Sequence, residues 1–406
     1  VSDAIRLTLG ALVAPAGLGF ALARGRGRSA TASPFARFSA RVVVAAAVGL
    51  LIGSHQALGQ TVQGRVVRAS EEAAIPGALV VLVDSGGRDV ARTASSASGG
   101  FVLPAGIPGR YTVAVRQIGW KTWRSEAFDL AQGQTYPLVL RVEAEPYTLP
   151  TITVEARRPR CGIRLGDDEM VSRLLEVAQT ALALAQATAD AGTLGFSSEW
   201  YLAHYNAKLE LADSSGMGAG RLAAWPIQTA PPDTISRWGF VRTDGAGQRW
   251  TDVGVDRGPV YYGLDARVLF SDWFLASHCF RLEEDKGDRL RIAFAPARHG
   301  RVTEVEGLLE LERGTLELHR IAFAYVDLPR WVPRERAGGE IRLRRLQSGA
   351  WAPYAWRVRA PVPHLKVGNP QPTVDGWVET GGRVRSVRGP GGQVDSALTR
   401  EMTEGP

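Results

Sequence analysis

The chain has 406 residues, with 48 Lys and Arg against 41 Asp and Glu, a net charge of +7, and is 45% hydrophobic and 22% charged. That balance excludes a disordered or collagen-like chain and predicts packed cores, with length enough for two or three domains. The arginines are spread through the chain and alternate with apolar residues, as in RLRI and IRLRRL. This spacing reads as solvated strand faces, not as a nucleic-acid stripe, and no nucleic-acid partner is expected.

Residues 36–60, ARFSARVVVAAAVGLLIGSHQALGQ, read as an export leader. Arg37 and Arg41 supply the positive start, and the apolar run at 42–53 is too short to span a hydrocarbon core about 30 Å thick. Ala57 and Gly59 supply the small residues of a cleavage site. Residues 1–59 are thus expected to be an upstream extension and signal peptide, with the mature chain starting near Gln60. No transmembrane span is expected in the mature chain. No lipobox cysteine follows the signal, so no lipid anchor is expected. The expected location is the periplasm or the outer-membrane surface.

Residues 60–143 carry short apolar strands at roughly ten-residue intervals, separated by turn residues such as DSGGRD. Residues 78–83 are almost all apolar, as in a strand covered on both faces. The stretch GGFVLPAGIPGRYTV holds turn-formers and core residues, with nothing reactive. Gly99 and Gly100 are expected to turn the chain into a strand whose Phe101 fills the inter-sheet core. Pro108 and Gly109 would turn it into a second strand containing Tyr111. Gly64, Pro76, Gly77, Ala78, Gly99, Phe101, Gly109, Tyr111 and Gly119 together resemble the pattern of the carboxypeptidase regulatory-like domain. The resemblance implies a Greek-key, transthyretin-like β-sandwich of the carbohydrate-binding-like class, expected to fold by itself. SSASGG stands where an acidic residue is common in that family.

Residues 144–166 read as a linker. They resemble the junction after such domains in TonB-dependent outer-membrane receptors, but too few residues follow for a receptor barrel. A helix is expected from Asp168 to Ala189, with Val171, Leu174, Leu175, Ala178, Ala181, Leu182 and Ala185 forming an apolar stripe that packs on a sheet. Strands with period-two alternation return from Phe196 to Val362, including RVLFSDWFLASHCFRLEE. The pattern EGLLELERGTLELHRIAFAY resembles the half barrels of periplasmic lipoprotein carriers, implying a curved antiparallel sheet around the helix. The fold class is therefore mainly β, with a helix-plus-sheet domain at 167–365 and a flexible tail at 366–406.

No metalloprotease, nucleophile-elbow, dinucleotide or phosphate-loop motif occurs, and the six histidines are scattered. No catalytic residue, metal or cofactor is assigned, and the protein is not expected to be an enzyme. Glu283, Glu284 and Asp285 read as a solvated turn. His278 beside Cys279 suggests a nucleophile pair, but Cys161 and Cys279 are expected to form a disulfide, and a bridged sulfur cannot attack. Trp120 and Trp123 are candidate ligand contacts in a glycine-containing loop. The expected role is binding or scaffolding in the envelope, with a polysaccharide, peptidoglycan or an outer-membrane protein as partner. The alternative is a lipid or lipoprotein carrier whose curved sheet encloses an apolar cavity.

Overall fold

The structure, a computed structural model, describes residues 59–143, 145, 160–161, 169–191, 194–221, 225–242, 259–284, 288–300, 302–333, 336–364, 373–389 and 392–404. The leader and nearly all of the linker lie outside the described residues. The first unit contains β1 (Gln60–Arg68), β2 (Leu79–Asp84), β3 (Asp89–Ala94), β4 (Gly100–Ala105), β5 (Gly109–Arg116), β6 (Trp123–Arg124), β7 (Phe128–Leu130) and β8 (Thr135–Val142). One sheet has the order β4-β1-β8, with β1 and β8 parallel, and the other is β3-β2-β5-β6 with β7 also on β5. Val62, Val66, Val80, Leu82, Phe101, Leu103, Tyr111, Val113 and Leu140 fill the space between them. Phe101 and Tyr111 are core residues, as the turn pattern predicted. The Tyr111 hydroxyl donates to the Ile107 carbonyl at 2.7 Å, which closes the loop between β4 and β5.

The second unit opens with β9 (Arg160–Cys161), α1 (Glu169–Ala191), β10 (Gly195–Asn206) and β11 (Leu211–Arg221). Next come α2 (Pro232–Trp238), β12 (Val241–Arg242), β13 (Val260–Tyr261), α3 (Ala266–Leu269) and α4 (Asp272–Ser277). A run of antiparallel strands follows: β14 (His278–Glu284), β15 (Arg289–Pro296), β16 (Glu304–Glu312), β17 (Leu318–Val326), β18 (Gly338–Arg345), β19 (Trp351–His364) and β20 (Thr373–Arg388). β21 (Val394–Asp395) and α5 (Ser396–Glu404) end the described chain. The large sheet has 11 strands in the order β11-β10-β20-β19-β18-β17-β16-β15-β14-β9, with β21 on β20.

Helix α1 joins the two units. Its expected stripe is buried, but so are Val177, Ala183, Leu184 and Ala187 on its other side. The helix touches β2 and β3 of the sandwich as well as β14, β17 and β19 of the large sheet. Leu79, Val81, Val83 and Ala114, which point out of the sandwich, share one core with α1 and the large sheet. The small residues of TALALAQATA let two sheets approach one helix closely. The outer face of one sandwich sheet is therefore covered by α1 and the large sheet, while the core between the two sandwich sheets remains its own. A second contact is turn on turn: a Cβ placed on Gly349 would lie 2.5 Å from the Gly77 Cα.

Two further expectations change. Residues 266–277, read as strand, form α3 and α4, because Asp265 and Ser271 cap them by accepting from the Val268 and Phe274 amides at 2.9 and 3.1 Å. The helix α1 is thus one of five helices among the described residues. Residues 366–406, read as a flexible tail, include β20, which pairs with both β10 and β19, and α5, whose Met402 is fully buried. Its glycines are used where strands cross bulky neighbours: a Cβ on Gly382 would lie 2.5 Å from the Trp356 ring. The apolar face of the sheet is covered by α1 and by residues of 225–242 and 259–277, with Phe240, Leu264, Leu269 and Phe274 at zero exposure.

Candidate functional site

Period-two alternation gives strands β14–β20 two different faces. Leu290, Ile292, Val305, Leu309, Ile321 and Ile341 enter the core shared with α1. The opposite face carries charge. Register places Arg291 opposite Glu310, Glu310 opposite Arg320, Glu340 opposite Arg357, and Arg359 opposite Glu379. The three carboxylate residues are only 3, 7 and 4% exposed. Arg320 donates to Glu340 at 2.9 and 2.7 Å and to Glu310 at 3.2 Å. Arg357 bridges Glu340 at 3.2 Å and Glu379 at 3.4 Å, and Arg359 reaches Glu379 at 2.7 Å. Arg289 and Arg291 add contacts to Glu310 at 3.5 and 3.3 Å, and Arg342 adds one to Glu340 at 3.3 Å. The Tyr201 hydroxyl donates to Glu379 at 3.0 Å.

Burial works against the Glu340 carboxylate, yet the hydrogen bonds and charges of Arg320 and Arg357 hold its pKa below the usual carboxylate value. Burial likewise opposes the Arg357 charge, and Glu340 and Glu379 more than restore it. Burial, reinforced by Glu379, raises the Tyr201 phenol, which stays a donor. Such a row adds little net stability, but removing one member leaves its partners buried and unpaired. It fixes long side chains in place.

Beside this row lies an open groove of about 610 Å³, lined by small residues that include Ala293, Ala295, Ala322, Ala324 and Gly338. Arg281, Arg320, Arg336, Arg357 and Arg359 line it against Glu283, Glu306 and Glu340. Two glycines let the backbone pass large rings under it: a Cβ on Gly339 would lie 2.7 Å from the Phe323 ring, and one on Gly307 would lie 2.6 Å from that of Phe294. Arg336 donates through Nη1 to the Ala207 carbonyl at 2.9 Å. Glu283, read as part of a solvated turn, sits on the groove wall and is engaged by Arg281.

Cys279 also lines the groove, and β14 pairs with β9 so that Cys279 stands directly opposite Cys161. No free cysteine is found among the described residues. His278 next to it is turned away from solvent, stacked on Phe274 with ring centroids 3.7 Å apart. Its Nε2 lies 3.2 Å from the Val305 carbonyl and its Nδ1 3.1 Å from the Ser277 hydroxyl. Burial lowers its pKa to about 4, so the ring is neutral. Glu304 lies 4.0 Å from that Nε2, its Oε2 has no hydrogen-bond partner, and burial, with Asp327 nearby, raises its pKa to about 7. Glu312, Glu317 and His319 bring ligand atoms within 4.8 Å of one another, but Thr315 and Arg345 already engage the two carboxylates. Trp120 and Trp123 are half-buried against the sandwich core, with the Arg68 guanidinium 5.5 Å from the Trp120 ring.

The sequence reading passed over Glu310, Glu340 and Glu379 and treated their arginines as solvated. The signal was present in LLELE, EIRLRR, WRVRA and WVETGG, where acids and arginines occupy the same parity of neighbouring strands. The register converts parity into contact.

Residues 61–143 match the carboxypeptidase regulatory-like domain. No curated protein sequence matches the chain. Among solved structures, 5-hydroxyisourate hydrolase of Klebsiella pneumoniae is 15% identical, covering 22% of this chain and 94% of its own, with a TM-score of 0.18. The TIE protein of Bacillus anthracis is 12% identical, covering 40% of this chain and 26% of its own, with a TM-score of 0.18. A DUF3823 family protein from Bacteroides ovatus is 8% identical, covering 59% of this chain and 91% of its own, with a TM-score of 0.17. At such scores nothing about this chain's function rests on them. The class is that of a mainly β protein with an N-terminal carboxypeptidase regulatory-like sandwich. No helix among the described residues is long and apolar enough to cross a membrane.

Proposed function

We propose that this chain is a non-catalytic binding protein, exported to the periplasm or the outer-membrane surface, in which the sandwich is the scaffold and the outward face of the large sheet is the binding surface. The supporting observation is the groove of about 610 Å³ beside a row of arginines immobilised by three nearly buried glutamates. Its size falls within the range of ordinary ligand sites, and fixed side chains lower the entropy lost on binding. The sandwich fits such a role, since its patterned residues serve turns and core. The bridge between Cys161 and Cys279 belongs to the same proposal and would pin the chain entering α1 to the groove edge. Trp120 and Trp123 are proposed as a lesser contact on the sandwich.

Retention of the full chain on immobilised polysaccharide or peptidoglycan, lost on substitution of groove residues, is the expected result. Lipid co-purifying in native mass spectra, with no such retention, would replace this reading by the carrier. N-terminal sequencing of exported protein should find Gln60 first; intact residues 1–35 would refute the export assignment.

A further inference from the structure

We infer that the groove takes a linear acidic polysaccharide, a glycan whose sugars carry carboxylates, and this rests on the reading of the groove as the binding surface. Arg289, Arg291, Arg320, Arg342, Arg357 and Arg359 all lie within 4.0 Å of Glu310, Glu340 or Glu379. Six guanidinium groups share three carboxylates, so the row keeps a net excess of three positive charges. It crosses six neighbouring strands, β15 to β20, a span of about 24 Å at ordinary strand spacing. A row of that length suits an extended ligand with repeated negative charges, not a single anion.

The donors are partly unspent. Each guanidinium has five N–H groups. Arg357 uses Nε and Nη1 on the glutamates, and Arg359 uses Nε and Nη2. The remaining Nη group of each is left to donate a charge-assisted hydrogen bond to a ligand carboxylate oxygen. The groove also presents acceptors, because the exposed Glu306 stands in its wall. A sugar chain supplies both parts, carboxylates for the arginines and hydroxyl donors for Glu306. A polyphosphate brings no hydroxyl donors and would be repelled by that glutamate. An acidic peptide can also meet an arginine cluster, but an extended peptide backbone needs in addition a sheet edge to pair with. Here most of the groove lies over β15 to β19, strands paired on both sides, where main-chain groups are already used.

The test is calorimetric titration of the full chain with a galacturonic acid oligomer, a neutral oligomer of glucose, polyglutamate and polyphosphate. The galacturonate oligomer should bind, weaken as salt is raised, and outbind the other three. Ala324→Gln, which fills the groove without changing its charge, and Arg336→Gln, which removes a lining cation held, among the described residues, by the Ala207 main-chain carbonyl, should each weaken binding about tenfold. Circular dichroism melts check that both variants remain folded. If polyglutamate or polyphosphate binds best and Ala324→Gln abolishes it, the groove stands as the binding surface and the glycan assignment falls. If no anion binds, or folded Ala324→Gln binds them all undiminished, the reading of the groove falls too.

Discussion

Gly349→Ala tests how the two units are held together. Gly349 has φ +84 in the turn between β18 and β19, and a Cβ there would lie 2.5 Å from the Gly77 Cα, 2.6 Å from its nitrogen and 2.8 Å from the Pro76 carbonyl carbon. All three are backbone atoms, so no rotamer change relieves the overlap. Two effects are expected to add. Left-handed backbone costs an alanine about 1–2 kcal/mol, and forcing the turns apart costs about 1–3 kcal/mol as overpacking does, for about 2–5 kcal/mol in total. Two other glycines separate the effects. Gly87 has φ +79 with nothing within 4 Å of its Cβ position, so Gly87→Ala should lose only the strain of about 1–2 kcal/mol. Gly314 has open space and no positive φ, so Gly314→Ala should change stability by less than about 0.5 kcal/mol. Urea unfolding followed by tryptophan fluorescence and far-ultraviolet dichroism gives all three values. If Gly349→Ala falls no further than Gly87→Ala, the turns do not bear on each other as described.

Non-reducing peptide mapping should recover the Cys161 and Cys279 peptides joined; two alkylatable thiols in exported protein would end that assignment, and loss of the bridge should destabilise the chain by about 4–5 kcal/mol. The next expectation concerns pH. With a pKa of about 7 against an ordinary 4.5, Glu304 keeps a proton that the unfolded chain has lost, so its contribution is complete below pH 4.5 and disappears as pH rises to 7. His278, at about 4 against 6.5, does the reverse: its contribution is complete above 6.5 and disappears as pH falls to 4. The two slopes oppose between pH 4.5 and 6.5. Glu304→Gln should therefore make stability climb more steeply with pH across that window, and parallel stability profiles for parent and variant would contradict it. Ala181→Leu should cost about 1–3 kcal/mol, because Ala181 lies at zero exposure in α1; an unchanged urea midpoint would mean that the site has room to spare.

The sandwich was legible because its turns demand particular residues. Gly99, at φ +77, and Phe101 occupy the places their neighbours predict. The helix was legible from its apolar stripe, but its second buried side was not: Ala183 and Ala187 are helix-forming whether they face water or a sheet. The short helices α3 and α4 span four and six residues, too few to separate a period of 3.6 from one of two. Their caps, Asp265 and Ser271, were the readable sign. The place of β20 depends on what closes the sheet, and nothing local to 373–388 carries that information. The groove failed to appear for a related reason. Each arginine by itself looks solvated, and Glu310, Glu340 and Glu379 become nearly buried only when several strands lie side by side.

The strand order also sets a schedule. β10 and β11 are made early in the second unit, yet β10 has its second partner only in β20, the last long strand of the sheet. Until β20 docks, β10 keeps the edge that β20 will cover unpaired, while β14 to β19 can pair with their neighbours in sequence. When Thr373–Arg388 appears, it enters between two edges already formed and joins them. Closure between segments so distant along the chain is slow, and a waiting strand edge invites other chains. The glycine-rich segment that looks expendable in the sequence is the one whose arrival ends the exposure.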